Sequence, residues 1–197
     1  MVGSPSRNPV IEGKDLFNSA YFLADGKVKH VAHKALLPTY DIFDEYRYFE
    51  PGNEFKILEY KGKRIALTVC EDIWNVGNEN PMYTVCPLDE LLPQKLDFVL
   101  NLSASPFSYD HAESRIHVLK ANVKRYGLPM FYVNHCGAQT EVIFDGGSIV
   151  MSPNGKYMMS CLISRKWSKL MIWTKSSKAK HPMNNPKKKW PLSTMPC

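Results

Sequence analysis

Residues 64–74 read RIALTVCEDIW. The stretch up to Val69 holds aliphatic and β-branched side chains and no turn residue, the composition of a strand. It ends at Cys70, and the Glu-Asp-Ile-Trp that follows places two carboxylates where a helix would begin. A cysteine at a strand-to-helix junction is a candidate nucleophile. The helix N-terminus lowers a thiol pKa, and backbone amides there can stabilise an oxyanion. Most intracellular cysteines are only packed as small hydrophobes, and spacing alone leaves both readings open.

Outward from this stretch, the pattern is strand and helix in alternation. FKILEY, at 55–60, reads as a strand joined to it through Lys61-Gly62-Lys63, and residues 18–32 read as a hairpin around Asp25-Gly26. LDFVLNLSAS, at 96–105, is an apolar run expected to be buried on both faces. From Asp110, apolar positions Ala112, Ile116, Leu119, Val123 and Tyr126 recur at helical spacing, closed by Gly127 and Pro129. PMFYVNH and GGSIVMS are two further strands, so a layered α/β domain is expected. The opening GSPSRNP reads as loop leading straight into a hairpin, as though an earlier strand and helix were missing upstream.

The 197 residues suit one domain with a real core, and 44% apolar with 22% charged residues argues for a globular fold. A net charge of +6 invites a polyanionic partner, but nine Lys or Arg and no carboxylate lie in 157–197. That leaves 16 of the 25 basic residues against all 19 acidic ones in 1–156, a mildly acidic body. No apolar run approaches the ~20 residues of a membrane span, and the N-terminus lacks a signal-peptide core. Five widely spaced cysteines argue against a disulfide framework or a structural zinc, which favours a cytoplasmic setting.

Five passages, in order, carry a family resemblance: NSAYFLADGKV, HKALLPTYDIFDEYRYFEPG, GKRIALTVCEDIW, LNLSASPF and TEVIFDGGS. Together they resemble the nitrilase, or carbon–nitrogen hydrolase, superfamily. LPTYDIFDEYRYFEPG, CEDIW and NLSASPF look more narrowly like the glutaminase domain of glutamine-dependent NAD synthetases. The resemblance covers about residues 3–156 and implies an incomplete nitrilase-type α-β-β-α sandwich. It also implies a Glu-Lys-Cys triad, in which Cys70 is the nucleophile and Lys34 stabilises the oxyanion. Glu45 would orient that lysine and help position the leaving group. Tyr40, Glu71 and Ser105 would contact the polar backbone end of glutamine, with His111 and Arg115 the basic candidates after the SxSP turn. Read without the family, Lys34 is a solvated loop residue, Glu45 a surface ion pair, Glu71 a helix-start carboxylate and Ser105 a turn residue.

The implied activity is glutamine hydrolysis through a cysteine thioester, delivering ammonia for NAD biosynthesis, with no cofactor for that step. ATP and deamido-NAD would belong to a synthetase domain, whose SGGxDS-type loop this sequence lacks, and homo-oligomers are common in the family. The family's general base, a glutamate in an FPE-type motif, is also missing, so low activity is expected. Residues 157–197 are expected to be an out-of-frame tail. Shifted by one base, Met158-Met159 and Trp173-Thr174 each force Asp, and with a choice among permitted codons several stretches resemble the acidic continuation of NAD synthetases. Two rivals are a stand-alone amidase of the superfamily and a non-enzymatic module binding RNA through the basic tail. No membrane partner and no specific nucleic acid are expected.

Overall fold

The structure is a computed structural model, and it describes residues 1–160. Its strands are β1 (Val2–Arg7), β2 (Leu16–Ala24), β3 (Lys27–His33), β4 (Leu58–Tyr60), β5 (Lys63–Val69) and β6 (Phe98–Ser103). They continue with β7 (Met130–Asn134), β8 (Cys136–Gln139), β9 (Val142–Asp145), β10 (Ile149–Met151) and β11 (Tyr157–Ser160). Two α-helices accompany them, α1 (Pro87–Leu91) and α2 (His111–Tyr126).

The strands form a three-stranded sheet, β1-β2-β3, a six-stranded sheet, β11-β10-β7-β6-β5-β4, and the β8-β9 hairpin. β5, β6 and β7 run parallel in the middle of the large sheet, as strands joined by helical crossovers do. Alternation divides their side chains between two cores. Ala66, Val99 and Met130 pack with Leu88 and Leu91 of α1 and Leu119 and Val123 of α2. Leu67 and Val69, with Leu100 and Leu102, meet Ala20, Phe22 and Ala32 of the small sheet. The described layers are helices, large sheet and small sheet, an α/β architecture with β6 packed on both faces as its sequence implies.

The 18–32 hairpin forms around Asp25 and Gly26, both at positive φ (53° and 68°), the geometry a two-residue turn needs. α2 forms over the expected span and ends at Gly127 (φ 64°), whose N–H caps the Val123 carbonyl at 3.0 Å.

Other expectations are corrected. The opening stretch is β1, paired antiparallel with β2, and not a loop. An edge strand needs a partner on one side only, so its serines and Pro5 are compatible with pairing. FKILEY is strand only from Leu58, and the Phe55 carbonyl instead accepts from Gln94 Nε2 at 2.8 Å. Residues 136–145 add the β8–β9 hairpin, which the sequence reading passed over, turning at Thr140 (φ 51°). Beyond residue 156 the chain continues the large sheet as β11; the rest of the expected tail lies outside the described residues.

Candidate active site

β5 delivers Cys70 into a sharp turn at φ 45°, a conformation costing a non-glycine residue about 1–2 kcal/mol. Strain of this kind persists where the surroundings over-determine it, and here they do. The turn is a single 3₁₀ turn, Cys70–Ile73, not the expected helix start. Asp72 explains the difference: its carboxylate accepts from the backbone N–H of Val69 (2.9 Å), Ala35 (2.9 Å) and Leu36 (3.0 Å). It ties the turn to the segment after β3 and so commits the Asp72 side chain to that segment. Asn101 donates to the Cys70 carbonyl at 3.3 Å and to Thr68 Oγ1 at 3.0 Å, while Ser103 donates to Asn101 Oδ1 at 2.6 Å.

Lys34 follows β3 and is wholly buried. Its backbone is held on both sides, N–H to the Asn18 carbonyl and C=O from the Gly52 N–H, each at 2.8 Å. Gly52 is required there, because a Cβ would come within 2.7 Å of the His33 carbonyl oxygen. The ammonium meets Glu45 Oε1 at 2.5 Å, and Asn18 Nδ2 donates to the other Glu45 oxygen at 3.1 Å. Glu45 itself sits in a 3₁₀ turn, Glu45–Arg47.

The electrostatics depart from the helix-dipole expectation. Burial pushes the Cys70 thiol pKa up; the Lys34 charge opposes this, while Glu71 and Glu45 reinforce it. Burial disfavours charge on Lys34, but Cys70, Glu45 and Asp72 outweigh it and raise its pKa. The resting site is therefore a thiol beside a firmly charged ammonium. Burial also lifts Asp72 to about 6 against its three N–H donors.

Glu71 is buried, with its pKa raised by desolvation. Tyr40 donates to its Oε1 at 3.0 Å, and Tyr83 donates to the same atom at 2.9 Å. Tyr83 escaped the sequence reading, since it lies twelve residues beyond Glu71 in a polar loop with no motif around it. Ser105 is buried, its N–H and carbonyl bracketed by the Asn134 amide at 2.8 and 3.3 Å. Asn134, also missed, donates to the Gly146 carbonyl at 2.8 Å and so locks the SxSP turn onto the DGGS loop. Arg115 is committed elsewhere: both guanidinium nitrogens pair with Asp145, Nη1 to Oδ1 at 2.8 Å and Nη2 to Oδ2. His111 Nδ1 lies 3.2 Å from the Pro106 carbonyl, its ring 6.5 Å from Trp74. The structure thus gathers Cys70, Lys34, Glu45, Tyr40 and Glu71 around one turn.

The carbon-nitrogen hydrolase family profile matches residues 1–172. The chain belongs to the carbon-nitrogen hydrolase family. The chain is 42% identical over 145 residues to the glutamine-dependent NAD(+) synthetase of Synechocystis sp., a match that covers 73% of this chain and 26% of the relative. It is 36% identical over 143 residues to the synthetase of the same name from Thermotoga maritima, covering 73% and 24%. Among solved structures it superposes on the glutamine-dependent NAD+ synthetase from Acinetobacter baumannii in complex with adenosine diphosphate. That match has a TM-score of 0.72 and 32% identity, covering 83% of this chain and 29% of the other. A variant of the amidase from Nesterenkonia sp. AN1 matches at TM-score 0.63 and 26% identity, over 82% of this chain and 56% of that one. The chain thus spans about a quarter of the length of the curated synthetases it resembles. Among the described residues no group of three or more His, Cys, Asp or Glu could hold a metal ion. No helix among them is long and apolar enough to cross a membrane.

Proposed function

We propose that this chain is the glutamine-hydrolysing part of a glutamine-dependent NAD synthetase, with Cys70 as nucleophile. The observation that carries the reading is the pair that the buried Lys34 makes with the half-buried Glu45 at 2.5 Å, set beside a cysteine in a strained turn. In the Nesterenkonia amidase variant, the acetamide moiety of fluoroacetamide is added covalently at the active site cysteine. That supports a cysteine nucleophile at the corresponding turn here.

Cys70 Sγ attacks the side-chain amide carbon of glutamine, and its proton passes to the leaving nitrogen. Lys34 stabilises the negative charge on the carbonyl oxygen in a desolvated setting, where a preorganised donor of this kind contributes about 3–4 kcal/mol. The C–N bond breaks, ammonia departs, and a glutamyl thioester remains on Cys70. Water then cleaves the thioester, giving glutamate and the free thiol. Glu45 holds the lysine in place, while Tyr40, Glu71 and Ser105 take the amino-acid end of the substrate. No cofactor enters these steps. The ammonia would pass to a synthetase portion, in the cytoplasm and within a homo-oligomer.

Both oxygens of Glu45 are engaged, by Lys34 and Asn18, so it is a poor proton shuttle. No FPE-type glutamate occurs in the sequence to take that role. Losing a general base costs on the order of 10²–10⁴ in rate. The purified chain should therefore bind glutamine, shielding Cys70 from iodoacetamide, yet release little ammonia. Ammonia release at an ordinary enzymatic rate that Cys70→Ala abolishes would refute the low-activity expectation. Absence of any glutamine protection would refute the substrate. Protection by simple amides in preference to glutamine would favour a stand-alone amidase.

A further inference from the structure

The loop that follows the Cys70 turn is built to aim one side chain back at it. Asn75 is buried and braces the loop three ways: Nδ2 donates to Asn78 Oδ1 (2.8 Å) and to the Val85 carbonyl (2.7 Å), and Oδ1 accepts the Asn80 N–H (3.0 Å). Gly77, at φ 69°, turns the chain within this brace, and the Tyr83 N–H closes on the Asn80 carbonyl at 3.1 Å. The Tyr83 hydroxyl is thereby set on Glu71, where it shares Oε1 with Tyr40.

Two donors on one carboxylate oxygen use both of its lone pairs. Among the described residues none donates to the other oxygen, Oε2, so a carboxylate only 4% exposed keeps a free acceptor next to Cys70. The local charge is also unbalanced. Lys34 is one positive charge against the carboxylates of Glu45, Glu71 and Asp72, and Lys34 is already paired to Glu45. A buried carboxylate short of a partner favours a cationic ligand, since leaving it unpaired is costly.

We propose that Tyr83 is a positioning residue that makes the site selective for amides carrying a primary ammonium, by holding Glu71 so that Oε2 faces the substrate. The phenol acts through Glu71 and touches no reacting atom. This rests on the glutamine-hydrolysing reading above, and it adds to that reading the loop residue that sets its selectivity. Tyr40 alone leaves the carboxylate free to rotate about its terminal bond. With Tyr83 the two phenols fix which oxygen is presented, and the loop carrying Tyr83 becomes part of the recognition surface.

The test compares alkylation of Cys70 in the full chain, read by intact mass, with three reagents. They are 6-diazo-5-oxo-L-norleucine, its analogue lacking the α-amino group, and iodoacetamide. Wild type is expected to react faster with the amino-bearing diazo ketone than with its des-amino analogue. Tyr83→Phe, which deletes one hydroxyl, should reduce that preference about tenfold, the worth of one hydrogen bond to a charged group. Its iodoacetamide rate should stay within twofold, which also reports an intact fold. Glu71→Gln should abolish the preference. A wild-type preference that Tyr83→Phe leaves unchanged overturns the inference alone, as does an equal slowing with all three reagents. A wild type indifferent to the amino group overturns the glutamine reading together with the inference.

Discussion

Lys34 and Cys70 constrain each other through charge. The ammonium works against the burial that lifts the thiol, so its removal should push the Cys70 pKa higher still. In Lys34→Met, the inflection of iodoacetamide rate against pH is expected to move upward, with the rate at neutral pH at least about tenfold lower. The backbone of Cys70 makes a separate prediction. At φ 45°, glycine is tolerated and alanine is not, so Cys70→Gly should be more stable than Cys70→Ala by about 1 kcal/mol in urea unfolding. Asp72 contributes a pH term. Its pKa in the fold is about 6 against an ordinary 3.8, so the folded protein binds the proton more tightly. The associated stability is present below pH 3.8 and fades as pH rises through 6, by up to about 3 kcal/mol. Between pH 4 and 7 the wild type should lose more stability than Asp72→Asn, and equal slopes would exclude this. Tyr132 differs from these. Among the described residues its buried hydroxyl has no partner in hydrogen-bonding geometry, although Ser103, Ser105, Arg115 and Cys70 stand near enough to perturb it.

At the scale of elements, legibility followed local chemistry. The Asp25-Gly26 hairpin, β5, β6 and α2 announce themselves through turn dipeptides and periodicity, which act over a few residues. β1 did not, because its pairing is supplied by the free edge of β2 and not by its own polar composition. The 3₁₀ turn after Cys70 was read as a helix because Glu71 and Asp72 suit an N-terminus. Asp72 spends one oxygen, Oδ1, on the N–H groups of Ala35 and Leu36, over thirty positions away, a contact no local pattern records. In the site, Cys70 was a candidate from its place at the end of a strand, whereas Lys34, Glu45, Tyr40 and Glu71 were legible only through motif resemblance. Tyr83 and Asn134 were not, being delivered by loop closure. Arg115 is a basic candidate in the sequence, and the fold commits it to Asp145, thirty positions away. Gly52 tests how the Lys34 segment is seated. Gly52→Ala would drive a methyl group against the His33 carbonyl, with an expected loss of about 1–3 kcal/mol on thermal or urea unfolding. Lys34 should also be displaced, so glutamine should no longer shield Cys70 in that variant.

For the molecule as a whole, the net charge of +6 misleads, since residues 1–156 are mildly acidic and hold the site. The small sheet turns one face to the large sheet, while Val2, Leu23 and Val28 are each about half exposed, at 45%, 51% and 53%. Leu23 and Val28 are cross-strand partners, so they form the place on this sheet where a second copy would pack in a homo-oligomer. Replacing Leu23 and Val28 with lysine is expected to lower concentration-dependent light scattering without altering iodoacetamide reactivity at Cys70. The two sheets also divide the chemistry between them. Lys34 descends from the small sheet and Cys70 from the large one, and the Asp72 carboxylate is sewn to Ala35 and Leu36 across the seam. A substrate whose carbonyl carbon bonds to sulfur while its oxygen faces the ammonium spans that same seam. In the proposed reaction acylation would act as a rivet between the layers: the thioester form should melt higher than the free protein, and the distance between Cys70 and Lys34 is set by how tightly two sheets are fastened.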